Sequence, residues 1–199
     1  MGSSKKLDKD EGLRERKKRE TLMRIAVAAL KLFIQKGYDA TTLDEIAAEA
    51  GIARRTFFYY FKSKEAILIA YLDNGLVRSV KPNLLAQPTD QTPVSAVHQS
   101  LEKFFGAKES KEAILVDKLF ASTEAVRARM QSAYIEMEQA AFEALCEMYP
   151  KEPRESLRMV AMMSIGATRV AKEAWRKDGG TRPFADYLNE TFALLNKAT

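Results

Sequence analysis

Residues 51–68 read GIARRTFFYYFKSKEAIL, where two arginines and a threonine precede five consecutive aromatics, Phe57, Phe58, Tyr59, Tyr60 and Phe61. The chain holds 10 Phe and 7 Tyr in 199 residues, so five in a row demand a structural reason. A helix over about 53–61 cannot bury all five on one side. Phe57 and Phe61, four residues apart, share a face and fit a core. Tyr59 and Tyr60 then point elsewhere, each with a hydroxyl able to donate to a phosphate oxygen. Arg54, Arg55 and Thr56 fill the first turn of the same helix.

Just upstream, Thr42-Leu43-Asp44-Glu45 has the spacing of a capping box. The threonine hydroxyl takes an orphan N–H of the new helix and the glutamate reaches back to the cap. That short helix runs to Ala50, and Gly51 supplies a left-handed turn. Two short helices joined at a glycine form a helix-turn-helix. Ala47 is small enough for them to cross closely, with Ile46, Ile52 and Phe57 filling the wedge. In such motifs the second helix puts its N-terminal residues against base edges in the major groove. Arginine pairs with guanine O6 and N7, and threonine meets the thymine methyl. Arg54, Arg55 and Thr56 are therefore the expected base readers. Tyr59, Tyr60, Lys64 and Thr42 are the expected backbone contacts, the last two at helix starts where N–H groups favour an anion.

The charge distribution agrees. Of a net +5, residues 1–64 carry 15 Lys/Arg against nine Asp/Glu, while 65–199 carry 17 against 18. A basic N-terminal third on a near-neutral body points to one region that meets a polyanion.

The segment GYDATTLDEIAAEAGIARRTFFYYFKSKEAIL resembles the N-terminal domain of the tetracycline-repressor (TetR/AcrR) family over about residues 20–72. The Gly-Tyr turn, Thr-Thr cap, Ile-Ala pair, turn glycine and Tyr-Phe-x-Ser-Lys-Glu ending carry the likeness. It implies an all-helical homodimer of about nine helices per subunit that represses transcription until a small molecule binds the body. Carried over by position, the DNA contacts fall on Thr42, Arg54, Arg55, Thr56, Tyr59, Tyr60 and Lys64. Three positions depart from the family pattern. Ala53 replaces a common capping Ser or Thr, Phe58 replaces a frequent phosphate-binding tyrosine, and Arg55 replaces a frequent small residue.

Along the rest of the chain 3.6-residue periodicity dominates and strand signals are scarce. Residues 1–13 read as a disordered basic arm, 14–63 as the helix-turn-helix domain with its first helix over about 14–36, and 64–199 as a ligand-binding and dimerisation domain. A connecting helix is expected over about 64–80, followed by a boundary punctuated by Pro82, Pro88 and Pro93. Further helices are expected at about 94–106, 110–120, 123–148, 153–178 and 183–196. Phe104, Phe105, Phe120, Tyr134, Met137, Phe142, Met163 and Trp175 are large soft side chains from which an apolar pocket would draw its walls, though each also fits plain core. Ala161, Ser164, Ala167 and Ala171 make a small-residue stripe. Phe184, Leu188, Phe192 and Leu195 make an apolar one, and together they are the expected dimer surface, with packing inside the chain as the alternative.

An enzyme is the main rival. The inventory offers one His, His98, and one Cys, Cys146, with no HExxH, Walker loop or Gly-x-Ser-x-Gly, so no catalytic residue, metal site or cofactor is expected. A helical scaffold that binds only proteins is the second rival, and the intact Arg/Thr/Tyr/Lys set argues against it. No apolar run reaches membrane-span length, and the polar N-terminus lacks a signal-peptide core. The expected partners are pseudo-palindromic double-stranded operator DNA, an apolar or aromatic effector and a second copy of the chain, in the cytoplasm.

Overall fold

Local signals start and stop most of the helices. The computed structural model describes residues 3–106, 113–121 and 123–198. Helix α1 spans Ser3–Lys36 and ends at Gly37, whose φ of 89° only glycine adopts without strain. Its start is earlier than expected. The arm read as disordered through residue 13 is helical from Ser3, and residues 1 and 2 lie outside the described residues. Lys, Arg and Glu are good helix formers, and the i,i+4 pair Arg16–Glu20 and the i,i+3 pair Glu15–Lys18 carry the helix outward past its buried part.

Helices α2 (Leu43–Glu49) and α3 (Arg54–Tyr60) follow, with Gly51 at φ 63° between them. Helix α4 (Lys64–Tyr71) starts at Ser63, whose hydroxyl accepts from the Ala66 N–H at 3.2 Å. Beyond Tyr71 the chain stays helical but changes its winding. A π-helical turn at Leu72–Leu76 and a 3₁₀ turn at Val77–Ser79 lead into α5 (Val80–Leu85). The connecting helix expected to stop near 80 therefore reaches Leu85, and Pro82, expected to open a linker, lies inside α5.

The body adds α6 (Pro93–Gly106), α7 (Ala113–Phe120), α8 (Glu124–Met148), α9 (Arg154–Lys177) and α10 (Phe184–Ala198). The expected start of α7 near 110 lies outside the described residues. With α4 and α5 counted as one bent helix, the described residues form nine helices and no strand, the all-α class the sequence implied.

Two apolar clusters hold these helices. The first joins Ile25, Phe33, Ile46, Phe57 and Phe61 to Ile67, Leu68 and Leu72, and continues without a break to Phe120, Met130, Tyr134 and Met137. The second lies among α5, α6, α9, α10 and the C-terminal half of α8, around Leu84, Leu145, Leu157, Trp175 and Phe192. The helix-turn-helix thus shares its core with α7 and the first half of α8.

The expected subunit surface is spent inside the chain. Ala161, Ser164, Ala167 and Ala171 are buried on α9, as are Phe184, Leu188 and Phe192 on α10, and Leu195 is half-buried against the same cluster. Small residues let α9 and α10 approach closely, so this stripe serves an intrachain contact.

Phe57 is fully buried at the centre of the first cluster. Phe57→Ala should destabilise the protein by about 3–5 kcal/mol in urea unfolding. A loss below about 1 kcal/mol, the range of ordinary surface changes, would show that the wedge does not depend on this ring.

Candidate nucleic-acid interface

Thr42 and Glu45 build the start of α2 as expected. The Thr42 hydroxyl accepts from the Glu45 N–H at 3.2 Å, and the Glu45 carboxylate accepts from the Thr42 N–H at 2.9 Å and from the Thr42 hydroxyl at 3.0 Å. Lys36 donates to the other carboxylate oxygen at 2.7 Å, joining the end of α1 to α2. Lys36 first, then the two Thr42 donors, hold the Glu45 carboxyl down at about 2. The Thr42 hydroxyl is therefore engaged in the cap, although the residue is exposed.

Helix α3 starts without such help. Ala53 occupies its cap position and makes no side-chain bond. Arg54 supplies a tether instead. Its Nε lies 3.0 Å from Asp44 in the first turn of α2, and its guanidinium lies 5.6 Å from the Phe58 ring centre. Phe58 is half-buried, edge-on to Phe57 at 5.4 Å, and holds Arg54 through its ring face. Arg55 and Thr56 are exposed beside it. Tyr59 is 79% exposed, whereas Tyr60 is half-buried and meets Tyr59 edge-on at 5.2 Å. Arg54, Arg55, Thr56 and Tyr59 thus come together on the outer surface of α3, with Tyr60 turned partly inward.

Lys64 lies lower and works harder than its position suggested. Its ammonium donates to the Tyr38 carbonyl at 2.5 Å and the Asp39 carbonyl at 3.3 Å, and lies 4.4 Å from the Tyr38 ring centre. Two of its three donors are therefore committed to the loop between α1 and α2. Tyr38 in turn donates to Glu65 at 2.8 Å. Burial first, and then Glu65, push the Tyr38 hydroxyl up out of its ordinary range, while the Glu65 carboxyl is held down by its own backbone N–H and then by Tyr38. Sequence reasoning missed Lys62, an exposed lysine whose ammonium donates to the Phe58 carbonyl at the end of α3. Its place four residues after Phe58 was the available signal, since basic side chains favour helix C-termini.

The residues expected at a body pocket scatter. Phe120 and Tyr134 line a cleft of about 140 Å³ with Arg127, Arg169 and Arg176. Phe104 borders a void of only about 20 Å³ between α5 and α6. Met137 is buried in the first cluster, and Met163 is half-buried on α9. Phe105 and Trp175 pack on Phe184 at 4.8 and 5.8 Å, so Trp175 is core rather than pocket wall. Phe142 lies under Arg154 and Arg158, 5.2 and 4.9 Å from its ring centre. The eight therefore do not enclose one cavity. Of the residues weighed for catalysis, His98 stacks on Phe192 at 4.3 Å and bonds Asn189 at 2.7 Å, and Cys146 is half-buried against the second cluster.

Known proteins bear on both halves. Residues 25–71 match the bacterial regulatory proteins of the tetR family, and residues 91–199 match the MftR C-terminal domain. The regulator YerO of Bacillus subtilis is 24% identical over 149 residues, 72% of this chain and 52% of that protein. TcmR of Streptomyces glaucescens, a transcriptional regulator, is 31% identical over 109 residues, 53% of this chain and 46% of that protein. The matched part of this chain spans about half the length of these curated relatives. A solved SmeT–triclosan complex shares the fold with a TM-score of 0.58 at 18% identity, covering 88% of this chain and 91% of that one.

The capping box yields a pH-dependent expectation. A carboxyl depressed in the folded state contributes stability above its unfolded value, 4.5, and loses it as pH falls through about 2. Thr42→Ala deletes the cap hydroxyl and should cost about 1 kcal/mol in urea unfolding. In a carbon NMR titration the Glu45 carboxyl should also move up from about 2 toward its ordinary value. An unmoved titration in the variant would show that the hydroxyl plays no part, and that Lys36 and the backbone N–H of residue 42 set it.

Proposed function

Because the chain belongs to the tetR family of bacterial regulatory proteins, we propose that it is a sequence-specific DNA-binding transcriptional regulator, a repressor that leaves its operator when an apolar or aromatic small molecule binds the body. The observation that carries this reading is the outer surface of α3. Arg55, Thr56 and Tyr59 are exposed together on the second helix of a capped helix-turn-helix. Arg55 and Thr56 read base edges. Arg54 reads as well, once DNA competes with Asp44 for its guanidinium. Tyr59, Tyr60 and Lys64 position the phosphate backbone, joined by Thr42 at the start of α2 once a phosphate competes with Glu45 for its hydroxyl. Lys62 joins them at the end of α3. The proposed division of labour keeps a DNA-reading head through residue 63 and a ligand-binding body from 64 onward.

Selection of bound fragments from random duplex DNA tests this directly. The wild-type protein should return a pseudo-palindromic sequence. Arg55→Ala should relax preference at one or two base pairs, at about 1–3 kcal/mol per lost bidentate contact. Lys64→Ala should weaken all sequences alike and lower the salt slope by about one. An unchanged sequence preference in Arg55→Ala would remove Arg55 from the readers.

The palindrome expectation rests on a homodimer. With the small-residue stripe buried, the surface that remains is on the opposite side of α9. Met159, Met162 and Val170 are 53%, 47% and 56% exposed, Gly166 lies between them, and Leu194 on α10 is 65% exposed. Their spacing of three to four residues makes one apolar stripe on a long helix. Paired with the same stripe of a second copy, α9 and α10 form a four-helix contact. Val170→Arg should turn dimer to monomer in sedimentation and weaken operator binding, because the half-sites are no longer linked. A dimer that survives Val170→Arg would exclude this face.

The effector half of the reading draws on the body. A long Met- and Phe-bearing set of helices shares its core with the head, and the similar SmeT was solved with triclosan. An effector favouring a displaced α4 would separate the two recognition helices by population shift.

A further inference from the structure

The cleft between α7, α8 and α9 is unlike the apolar pocket a hydrophobic effector would need. Its rim carries three guanidinium groups, Arg127, Arg169 and Arg176, against one carboxylate, Glu173, over a floor that includes Phe120 and Tyr134. Its volume of about 140 Å³ is well below the roughly 300–1,000 Å³ of sites for drug-sized ligands, so it suits a head group. Arginines at a concave surface with an aromatic floor match a carboxylate or phosphate borne on a flat or apolar group.

Two of these arginines already hold α7. Arg176 donates through Nη2 to Asp117 Oδ1 at 2.9 Å and through Nε to Oδ2. Asp117 is only 4% exposed and also meets Lys172 at 2.9 Å. Burial opposes its charge, but Arg176 and Lys172 outweigh it and keep the carboxyl below its ordinary range. Arg127 donates at 2.8 Å to the Ala121 carbonyl, just past the end of α7. Arg169 lies over the Tyr134 ring, 4.8 Å from its centre. Phe120, on the cleft floor, also stacks on Tyr71, the last residue of α4, at 5.9 Å. The short helix is thus tied to α8 and α9 by charge, and to the helix behind α3 by an aromatic contact.

We propose that this cleft is the effector site of the regulator, that it binds a carboxylate or phosphate head group through Arg127, Arg169 and Arg176, and that binding loosens α7 by competing for the arginines that tether it. This deepens the reading above and rests on it for its biological sense. The incoming anion accepts hydrogen bonds from Arg169 and from the exposed edges of Arg127 and Arg176. Arg176 then divides its donors between ligand and Asp117, and Arg127 releases the Ala121 carbonyl. With the Asp117 tether weakened and the Ala121 contact released, α7 shifts, and Phe120 carries the shift to Tyr71 and α4. The effector's apolar part lies over Phe120 and Tyr134, which reconciles an aromatic ligand with a basic cleft.

Calorimetry at matched ionic strength with benzoate, benzamide and inorganic phosphate tests the site on the intact protein without DNA. Benzoate should saturate one site per chain, and benzamide, its uncharged analogue, should bind about tenfold more weakly or not at all. Arg169→Gln and Arg127→Gln should each weaken benzoate by about tenfold. Phosphate binding with the same arginine dependence supports a phosphate head group, and benzoate binding alone supports a carboxylate. Amide hydrogen exchange should rise across 113–120 at saturating benzoate, and Asp117→Asn should raise it without ligand. Equal binding of benzoate and benzamide, binding that ignores both arginine substitutions, no binding of either anion, or unchanged exchange in α7 at saturation would each overturn the proposal. Because no arm uses DNA, these outcomes leave the DNA-binding reading standing, and failure to select an operator would leave the cleft decided.

Discussion

One uninterrupted apolar cluster joins the DNA-facing helices to the body, and the rest of the structure is arranged around it. Phe57 and Ile46 lie at one end, Tyr134 and Met137 at the other, and α4 with Leu68 and Leu72 forms the middle. Interiors packed at crystal-like density transmit displacement rather than absorb it. A change in the body that moves α4 must therefore be felt at α3, because no solvated linker lies between them to dissipate it. The change of winding at Leu72–Leu76 falls just where this cluster hands over to the second. There Asp73, on the π turn, meets Arg129 of α8 at 2.7 Å, so the irregular turn is fixed from outside its own helix. π turns often mark functional positions, and this one lies between the reading head and the helices that carry the effector cleft.

Charged contacts then set where the short elements lie. Helices of seven or eight residues are marginal on their own, since nucleation costs more than so few hydrogen bonds return. Here α2 has its capping box and Lys36, α3 has Arg54 on Asp44, and α7 has Asp117 between two cations. The exposed pairs are worth little each, and their value is geometric. The Asp117 cluster differs, because breaking a buried pair leaves a charge without a partner. A ligand able to substitute for one member can therefore act strongly on α7 without reaching the apolar core.

The same residue chemistry serves two ends at the DNA-facing surface. Arg54 is both the tether that an uncapped α3 needs and an expected reader of bases, and Lys64 both closes the α1–α2 loop and is an expected backbone contact. In each case the partner is a carboxylate or a carbonyl of a neighbouring element. The head is thereby held in a defined shape before DNA arrives, which lowers the ordering cost of binding.

The helix-turn-helix was legible in the sequence because its determinants are local. Thr42 and Glu45 find each other across three residues, Gly51 needs nothing but its own φ, and Phe57 and Phe61 share a face by helical period alone. Interactions that close within one or two turns are written in consecutive residues. The body was legible only as a set of helices. Periodicity showed that α9 has a small-residue stripe, but not what covers it, and only the docking of α10 decided that Ala161 and Ala171 face inward while Met159 and Val170 face out. Trp175 was assigned to core, and Arg127, Arg169 and Arg176 were gathered at one cleft, by crossings of helices dozens of residues apart. A helical pattern specifies how many faces a segment has; which neighbour covers each one depends on contacts between distant segments, and those exist only once the chain has folded.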